Sequence, residues 1–330
     1  MLNNCDLKTN YTIPIFIPES ACPFRCTYCN QYNITNKATS PSQSEVVTVI
    51  ESYLQTIPKN RSQIRVKVAF FGGSFTGLPL HQQEVYLQTV QPYIDQKLVD
   101  SIQLSTRPDY INEEILTLLK KYHVSLIELG AQSLDPDVLI KSHRGHTVQD
   151  VEKSAALINQ FGFELGLQMM IGLPGDTLEK SLFTAQKFVE FGATYTRIYP
   201  TLVIKDTDLE QLYHAGNYTP LSIEEAVEWC IHLYNIFNTN HITILRMGLH
   251  PSEGFINKEV LVAGPFHVSF KELVLTALWK EKLIQLSQNN TSDTFVVEVP
   301  KAEINYAIGY NASNKIFLEQ RFQKVMFIQI

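Results

Sequence analysis

The chain has 330 residues, of which 45% are apolar and 18% charged, an ordinary balance for a globular protein long enough to bury a large core without disulfides. A net charge of −6 and a pI near 5.9 argue against wholesale coating of nucleic acid, though not against one basic cleft. No apolar run approaches the ~18 residues of a membrane span, and the opening Met1-Leu2-Asn3-Asn4-Cys5-Asp6 has no basic start or apolar stretch, so neither membrane nor leader is expected and the cytoplasm is the expected compartment.

Taken in order, Thr12 to Ile17 reads as a first buried strand ending at Pro18. Val46, Val47, Ile50 and Leu54 carry helical spacing over Ser44 to Gln55. Strand-like runs then alternate with helical ones. The strands are Val66–Phe71, Ser101–Ser105, Ser125–Leu129, Glu164–Ile171 and Thr194–Tyr199. The helices are His81–Ile94, Asn112–Tyr122, Val148–Phe161 and Leu178–Phe191. Such alternation predicts a parallel sheet covered by helices, wound by right-handed crossovers into either a doubly wound sheet or an open barrel. Cys22, Gly73, Arg107, Gln132, Gly172 and Tyr199 fall at or just past successive strand ends, which favours a barrel whose strand ends share one mouth. Beyond Ile204 the pattern changes. Asp206 to Pro220 reads as a polar connection, Ile223–Phe237 as a helix carrying Cys230 in the core, Ile242–Met247 as a seventh strand-like run and Phe270–Lys282 as a helix. Phe295–Val299 and Val325–Ile330 read as further strands. The expected division is a core over residues 10–205 and a C-terminal α/β extension over 206–330 that completes or caps the site.

The chemistry concentrates at Cys22-Pro23-Phe24-Arg25-Cys26-Thr27-Tyr28-Cys29. Three thiolates on one short loop can converge on one metal centre. Zinc in a structural site wants four protein ligands, and neither Cys5 nor Cys230 supplies a second pair. A cubane iron–sulfur cluster has four irons, so three local cysteines leave one iron open to a substrate or cofactor. Ligand arithmetic therefore favours a cluster engaged in chemistry.

This loop, with Asn30-Gln31 after it, resembles the signature of radical S-adenosylmethionine (radical SAM) enzymes. Further along, Gly72-Gly73-Ser74-Phe75-Thr76-Gly77, Ser105-Thr106-Arg107-Pro108-Asp109, Glu128-Leu129-Gly130-Ala131-Gln132-Ser133, Arg144-Gly145-His146-Thr147, Gly172-Leu173-Pro174-Gly175 and Arg197 to Ile204 follow in family order. Together they resemble the bacterial branch similar to the radical SAM domain of the Elongator catalytic subunit. The resemblance implies a six-stranded partial (β/α) barrel, with a [4Fe–4S] cluster on Cys22, Cys26 and Cys29 and SAM on the open iron. It also implies reductive cleavage of SAM to a 5′-deoxyadenosyl radical that abstracts hydrogen.

For SAM itself, the resemblance implies Tyr28 beside the adenine, Gly73 and Ser74 near the ligand ammonium, and Ser105 and Gln132 on the ribose or methionine end. It further implies Arg144 on the SAM carboxylate, in a spacing similar to that of oxygen-independent coproporphyrinogen oxidases, Gln168 as a polar ribose or adenine partner, and the Gly172–Gly175 turn against the adenine. Tyr199, Lys205 and Arg197 are candidates for substrate contact, and no residue is assigned as the catalytic acid or base. His146, His250 and His267 are read as structural histidines.

Ser74 departs from the acidic residue many relatives carry, and the cysteine spacing is tighter than in the eukaryotic subunit. Elongator kinship implies a tRNA-related substrate, but the likeness runs from about residue 12 to about residue 265 and only about 65 residues follow it, too few for an acetyltransferase domain. Radical chemistry on a small molecule or protein side chain is the alternative, and a non-enzymatic iron–sulfur binding module is the rival of another class. A reductase or ferredoxin-like protein is the expected electron donor.

Overall fold

The computed structural model describes residues 9–18, 26–30, 39–58, 64–249, 253–257 and 259–330. Cys5, Cys22, Gln31 and His250 lie outside the described residues. Strands β1 (Thr9–Ile17), β2 (Ile64–Gly72), β3 (Ser101–Thr106), β4 (Val124–Gln132), β5 (Glu164–Ile171) and β6 (Tyr195–Pro200) pair in chain order, all parallel. The expected six strands are present, and the curled sheet is the expected partial barrel. A two-residue strand, β7 (Val203–Ile204), follows β6. The seventh strand-like run, β8 (Thr243–Met247), lies parallel to β6 and extends the same sheet.

Helices cover the convex side: α1 (Gln43–Thr56), α2 (Leu80–Asp95), α3 (Glu113–Lys121), the short α4 (Pro136–Lys141), α5 (Val148–Gln160) and α6 (Leu178–Glu190). Their starts are written in the sequence. Ser42 with Glu45 and Thr147 with Asp150 form capping boxes, while Asn112 and Thr177 accept from the third residue onward. One set of strand residues, such as Ile102, Leu104, Ile127, Leu129, Leu165, Leu167 and Ile198, packs under these helices as the main core.

The opposite, concave set is polar at its centre, because side chains alternate between faces. Gln103, Glu128 and Arg197 meet there. Gln103 Nε2 lies 3.4 Å from Glu128 Oε1, and Arg197 Nη2 donates to the same oxygen at 3.1 Å while its Nε reaches Oε2. Glu128 is on β4 and Arg197 on β6, so the pair spans β5. Gly166 opposes Glu128 on β5 and leaves the gap, since a Cβ there would sit 2.8 Å from Glu128 Cγ. Arg197 also lies over the Phe71 ring, 4.9 Å from its centroid. Burial works against the Arg197 cation, but Glu128 and the Tyr199 hydroxyl outweigh it and hold its pKa above the usual guanidinium value. Arg197, one of the candidates for substrate contact, is thus paired within the barrel interior and keeps 15% of its side chain exposed.

The segment read as a polar connection holds a helix, α7 (Asp208–His214), capped by Thr207. Beyond it come α8 (Ile223–Thr239), α9 (Glu253–Ile256), β9 (Leu261–Ala263), which pairs antiparallel with β7, and α10 (Phe270–Ser287). The C-terminal stretch is β10 (Thr294–Val299), α11 (Ile304–Ile308), α12 (Ser313–Glu319) and β11 (Lys324–Gln329).

The Glu128–Arg197 pair generates a prediction. Gly166→Ala forces the carboxylate aside and is expected to lower unfolding free energy by about 1–3 kcal/mol. Glu128→Ala leaves a buried guanidinium without its counter-charge and is expected to cost about 3–5 kcal/mol. Urea midpoints matching the wild type for both variants would refute this account of the interior.

Candidate functional site

The site forms where the strand ends meet the cysteine turn. Cys26 and Cys29 close one turn through a Cys29 N–H bond to the Cys26 carbonyl at 3.0 Å. Cys26 is buried and Cys29 part-exposed. The turn is fastened from three directions. Thr27 N–H donates to the Ser142 carbonyl at 3.1 Å, Leu209 N–H donates to the Thr27 carbonyl at 2.8 Å, and Asn30 Nδ2 donates to the Lys205 carbonyl at 3.2 Å. Because the turn's backbone is satisfied from outside, its sulfurs are left to other partners.

Arg144 supplies one. Its Nη1 lies 3.4 Å from Cys26 Sγ and its Nη2 donates to the Gly130 carbonyl at 2.7 Å. Arg144 is 8% exposed, so this guanidinium ties the cysteine turn to the end of β4 in a buried setting. A Cβ on Gly130 would stand 2.8 Å from Arg144 Nη2 and 2.9 Å from Gln132 Nε2, so a side chain there would displace both side-chain ends. The β4–β5 register slips between Gly130 and Gln132, and Gln132 has φ +66°. That bulge re-aims the end of the strand. Gln132 Oε1 then accepts from Gln168 Nε2 at 3.2 Å, joining two of the expected SAM residues directly.

Tyr28 points its hydroxyl inward, among Arg144, Cys26 and Cys29, and burial raises its pKa well above the usual phenol value, with the Arg144 charge opposing. Its ring packs beside Val203, Leu209 and Tyr218. Gly73 donates its N–H to the Ile17 carbonyl at 2.6 Å, and the Ser74 carbonyl accepts from Gly77 at 3.0 Å. Ser74 is 3% exposed, and its carbonyl serves the turn. Ser105, part-exposed on the concave face, opposes Glu128. The structure therefore gathers Cys26, Cys29, Tyr28, Gly130, Gln132, Arg144 and Gln168 through direct contacts, while Gly73, Ser74 and Ser105 sit at neighbouring strand ends.

Two further residues of the matched stretches are buried. Arg107, 1% exposed, forms a two-point pair with Asp109 at 2.9 Å for both bonds. His146 lies beneath the site with Nε2 3.2 Å from the Ala131 carbonyl. Behind the cysteine turn lies a cavity of about 880 Å³ whose lining includes Thr27, Lys141, the Gly172–Asp176 turn, Tyr218 and Trp229, but none of Ser105, Gln132 or Gln168.

Burial, with the charges of Arg144 and Arg107, pushes the His146 imidazole down to about 3, so it is neutral at pH 7. Its unfolded value is near 6.5, so the unfolded chain binds the extra proton in between. The stability it contributes is full above about pH 6.5 and is lost as pH falls toward 3. Asp176, raised to about 6 chiefly by burial, acts in the opposite sense, its contribution being lost as pH rises through 6. Between pH 6 and 4 the wild type is expected to lose about 1.4 kcal/mol more per pH unit than His146→Asn. Urea unfolding of both proteins at several pH values measures this, and parallel curves would contradict it.

A Radical SAM superfamily model matches residues 17–186, and a Radical SAM C-terminal domain model matches residues 193–280. A tRNA uridine(34) acetyltransferase of Dehalococcoides mccartyi is 25% identical over 230 residues, 60% of this chain and 50% of that protein. Human Elongator complex protein 3 is 30% identical over 184 residues, 50% of this chain and 34% of that protein. The chain thus spans half or less of the length of these curated relatives. In structure it resembles Methanocaldococcus infernus Elp3 lacking residues 1–46, with TM-score 0.65 and 21% identity over 84% of this chain and 64% of that one. It also resembles Streptococcus suis SuiB bound to S-adenosylmethionine, with TM-score 0.52 and 11% identity over 81% and 55%. The strand-end rim, the cysteine turn and a family match over more than half its length agree: the chain belongs to the radical SAM superfamily, whose members use a [4Fe–4S] cluster and SAM.

Proposed function

We propose that this radical SAM enzyme holds its [4Fe–4S] cluster through Cys22, Cys26 and Cys29, binds SAM at the β4–β5 rim, and modifies tRNA. The observation that carries the site reading is Arg144, a buried cation placed between a cysteine sulfur and a strand-end carbonyl. The donor set fits the cluster: two cysteines on one turn, beside a guanidinium that offsets the negative charge of a thiolate-bound centre. When bound, the cluster supplies the electron that splits SAM into methionine and a 5′-deoxyadenosyl radical. Around it the chain's own groups orient and shield. Arg144 meets the methionine carboxylate, and the Gln132 and Gln168 amides offer donors and acceptors to the ribose and methionine ends. Gly73, Ser74 and Ser105 form the adjoining rim, and Tyr28 walls the centre from the Val203–Leu209 side. Gln103, Glu128 and Arg197 close the floor beneath, filling space that water would otherwise occupy.

The tRNA assignment is supported by the relatives named tRNA uridine(34) acetyltransferase and Elongator complex protein 3. A reductase or ferredoxin-like donor in the cytoplasm would supply the electron. Among the described residues no helix is long and apolar enough to cross a membrane.

Anaerobic protein reconstituted with iron and sulfide, reduced with dithionite and given SAM is expected to release 5′-deoxyadenosine, and Cys26→Ala to release none. A loaded cluster without any 5′-deoxyadenosine would favour the binding-module reading. Arg144→Lys loses the two-point geometry and is expected to raise the KM for SAM at least about tenfold, the worth of a charged hydrogen bond of about 1.5–3 kcal/mol. Gel shifts with unmodified tRNA transcripts should show binding that weakens steeply with salt. Absence of any shift, with SAM cleavage intact, would move the substrate to a small molecule or protein side chain.

A further inference from the structure

Residues 294–330 form a unit that both family matches stop short of. β10 and β11 pair in parallel, from Thr294 opposite Lys324 to Val299 opposite Gln329. A parallel pair needs a crossover, and here it is helix, tight turn, helix. The unit has its own apolar core, Phe295, Val297, Val299, Ala307, Leu318 and Phe322, seated on Trp279 and Leu283 of α10.

The turn between the helices is Gly309-Tyr310-Asn311-Ala312. Gly309 has φ +90°, Asn311 +52° and Ala312 +59°. A Cβ on Gly309 would stand 2.8 Å from both Asn314 N and Ser313 Oγ. Alanine seldom adopts a left-handed backbone, and such strain persists where surrounding contacts impose it, often at ligand clamps. The contacts are present. Tyr310 N–H donates to Thr276 Oγ1 at 3.0 Å, and Asn314 Nδ2 donates to the Thr276 carbonyl at 2.9 Å. The Tyr310 ring meets His267 edge-on with centroids 5.2 Å apart. Asn314, 1% exposed, keeps Oδ1 without a hydrogen-bond partner among the described residues, an acceptor held directly under the turn. Asn311 and Ser313 face solvent at the tip, and Ile316 (53% exposed) and Phe317 (36%) present apolar surface on the next helix.

A strand, a helix, a Gly-x-x-small turn, a helix and a strand form the arrangement of KH modules, in which a Gly-x-x-Gly loop clamps the backbone of about four nucleotides. This chain departs from it by having Ala312 at the second glycine position, yet holds that alanine in the backbone conformation a glycine would take. Acidic and basic side chains balance within residues 294–330 and Asp293, so the chain's net charge of −6 is not concentrated there. Exposed apolar side chains beside such a turn suit stacking against unpaired bases.

We propose that residues 294–330 bind a single-stranded RNA segment, with the Gly309–Ala312 turn against its sugar–phosphate backbone. The choice of RNA rests on the tRNA reading above; the site itself rests on the turn and the fold around it.

The test uses the full chain and a short fluorescein-labelled single-stranded RNA, read by anisotropy, with the same RNA annealed to its complement as the duplex control. Asn311→Asp combined with Ala312→Asp puts two carboxylates on the turn, and aspartate tolerates the left-handed backbone, so folding is retained and is checked by thermal melting. The wild type is expected to prefer the single strand over the duplex, the double variant to bind it at least about tenfold more weakly, and Ala312→Gly to bind it at least as tightly. Absence of binding, equal affinity of wild type and double variant, or preference for the duplex would overturn the inference. The double variant is expected to cleave SAM at the wild-type rate. RNA binding lost with SAM cleavage intact therefore separates this turn from the radical site, and RNA binding intact in a protein unable to cleave SAM would sink the radical reading alone.

Discussion

The bond between the Arg144 guanidinium and the Gly130 carbonyl is the constraint on which the site depends. It joins a loop to a strand end inside a buried region, where a charged donor without an acceptor is costly. Everything nearby accommodates it. Gly130 has no side chain because one would occupy the guanidinium's place. The bulge that follows turns Gln132 toward Gln168, and the second guanidinium nitrogen is free to approach Cys26. His146, two residues on, is neutral chiefly because it is buried, and a third cation beside Arg144 and Arg107 would raise the electrostatic cost further. One arginine thus sits beside a backbone bulge and an amide pair, and adds to the burial that keeps a neighbour neutral.

The sheet also divides its two faces by purpose. The convex face follows the ordinary rule of parallel sheets, apolar residues under helices. The central layer of the concave face is an ion pair with an amide. A buried ion pair gives little net stability compared with an apolar replacement. Its value here is rigidity and a fixed polarity below the rim. Glu128 and Arg197 must stay opposite each other across a strand whose facing residue is glycine, which fixes three neighbouring strands relative to one another.

Much of this was legible in the sequence. Strand and helix periodicity located the six parallel strands and placed the special residues at their ends, because period and turn chemistry are local properties. The joining of Gln132 to Gln168 and of Arg144 to Cys26 was legible only as membership of one rim, since the contacts depend on a register slip and on a glycine that no periodicity marks. The pairing of Arg197 was not legible, because its partner Glu128 is two strands away and distant in sequence. Helix α7 was hidden in a polar stretch, although Thr207 before Asp208 and Glu210 is a cap signal of the kind that located other helices. The pair α11 and α12 escaped for another reason. Each is too short for its apolar spacing to stand out, and the parallel pairing that defines the unit joins residues about thirty positions apart.

The connection missed in the sequence also changes the standing of the chain beyond Ile204. Leu209 N–H holds the Thr27 carbonyl, and the Lys205 carbonyl holds Asn30, so the outer fastenings of the cysteine turn come from that segment. β7 in turn pairs with β9, which ties the segment to residues 261–263. A turn that carries two thiols satisfies its backbone groups before its sulfurs can be aimed, and a buried amide left without a partner would pull the turn out of shape. Residues 205 and 209 therefore hold the outer side of the turn: without their contacts it would keep the Thr27–Ser142 bond and the approach of Arg144 to Cys26 Sγ.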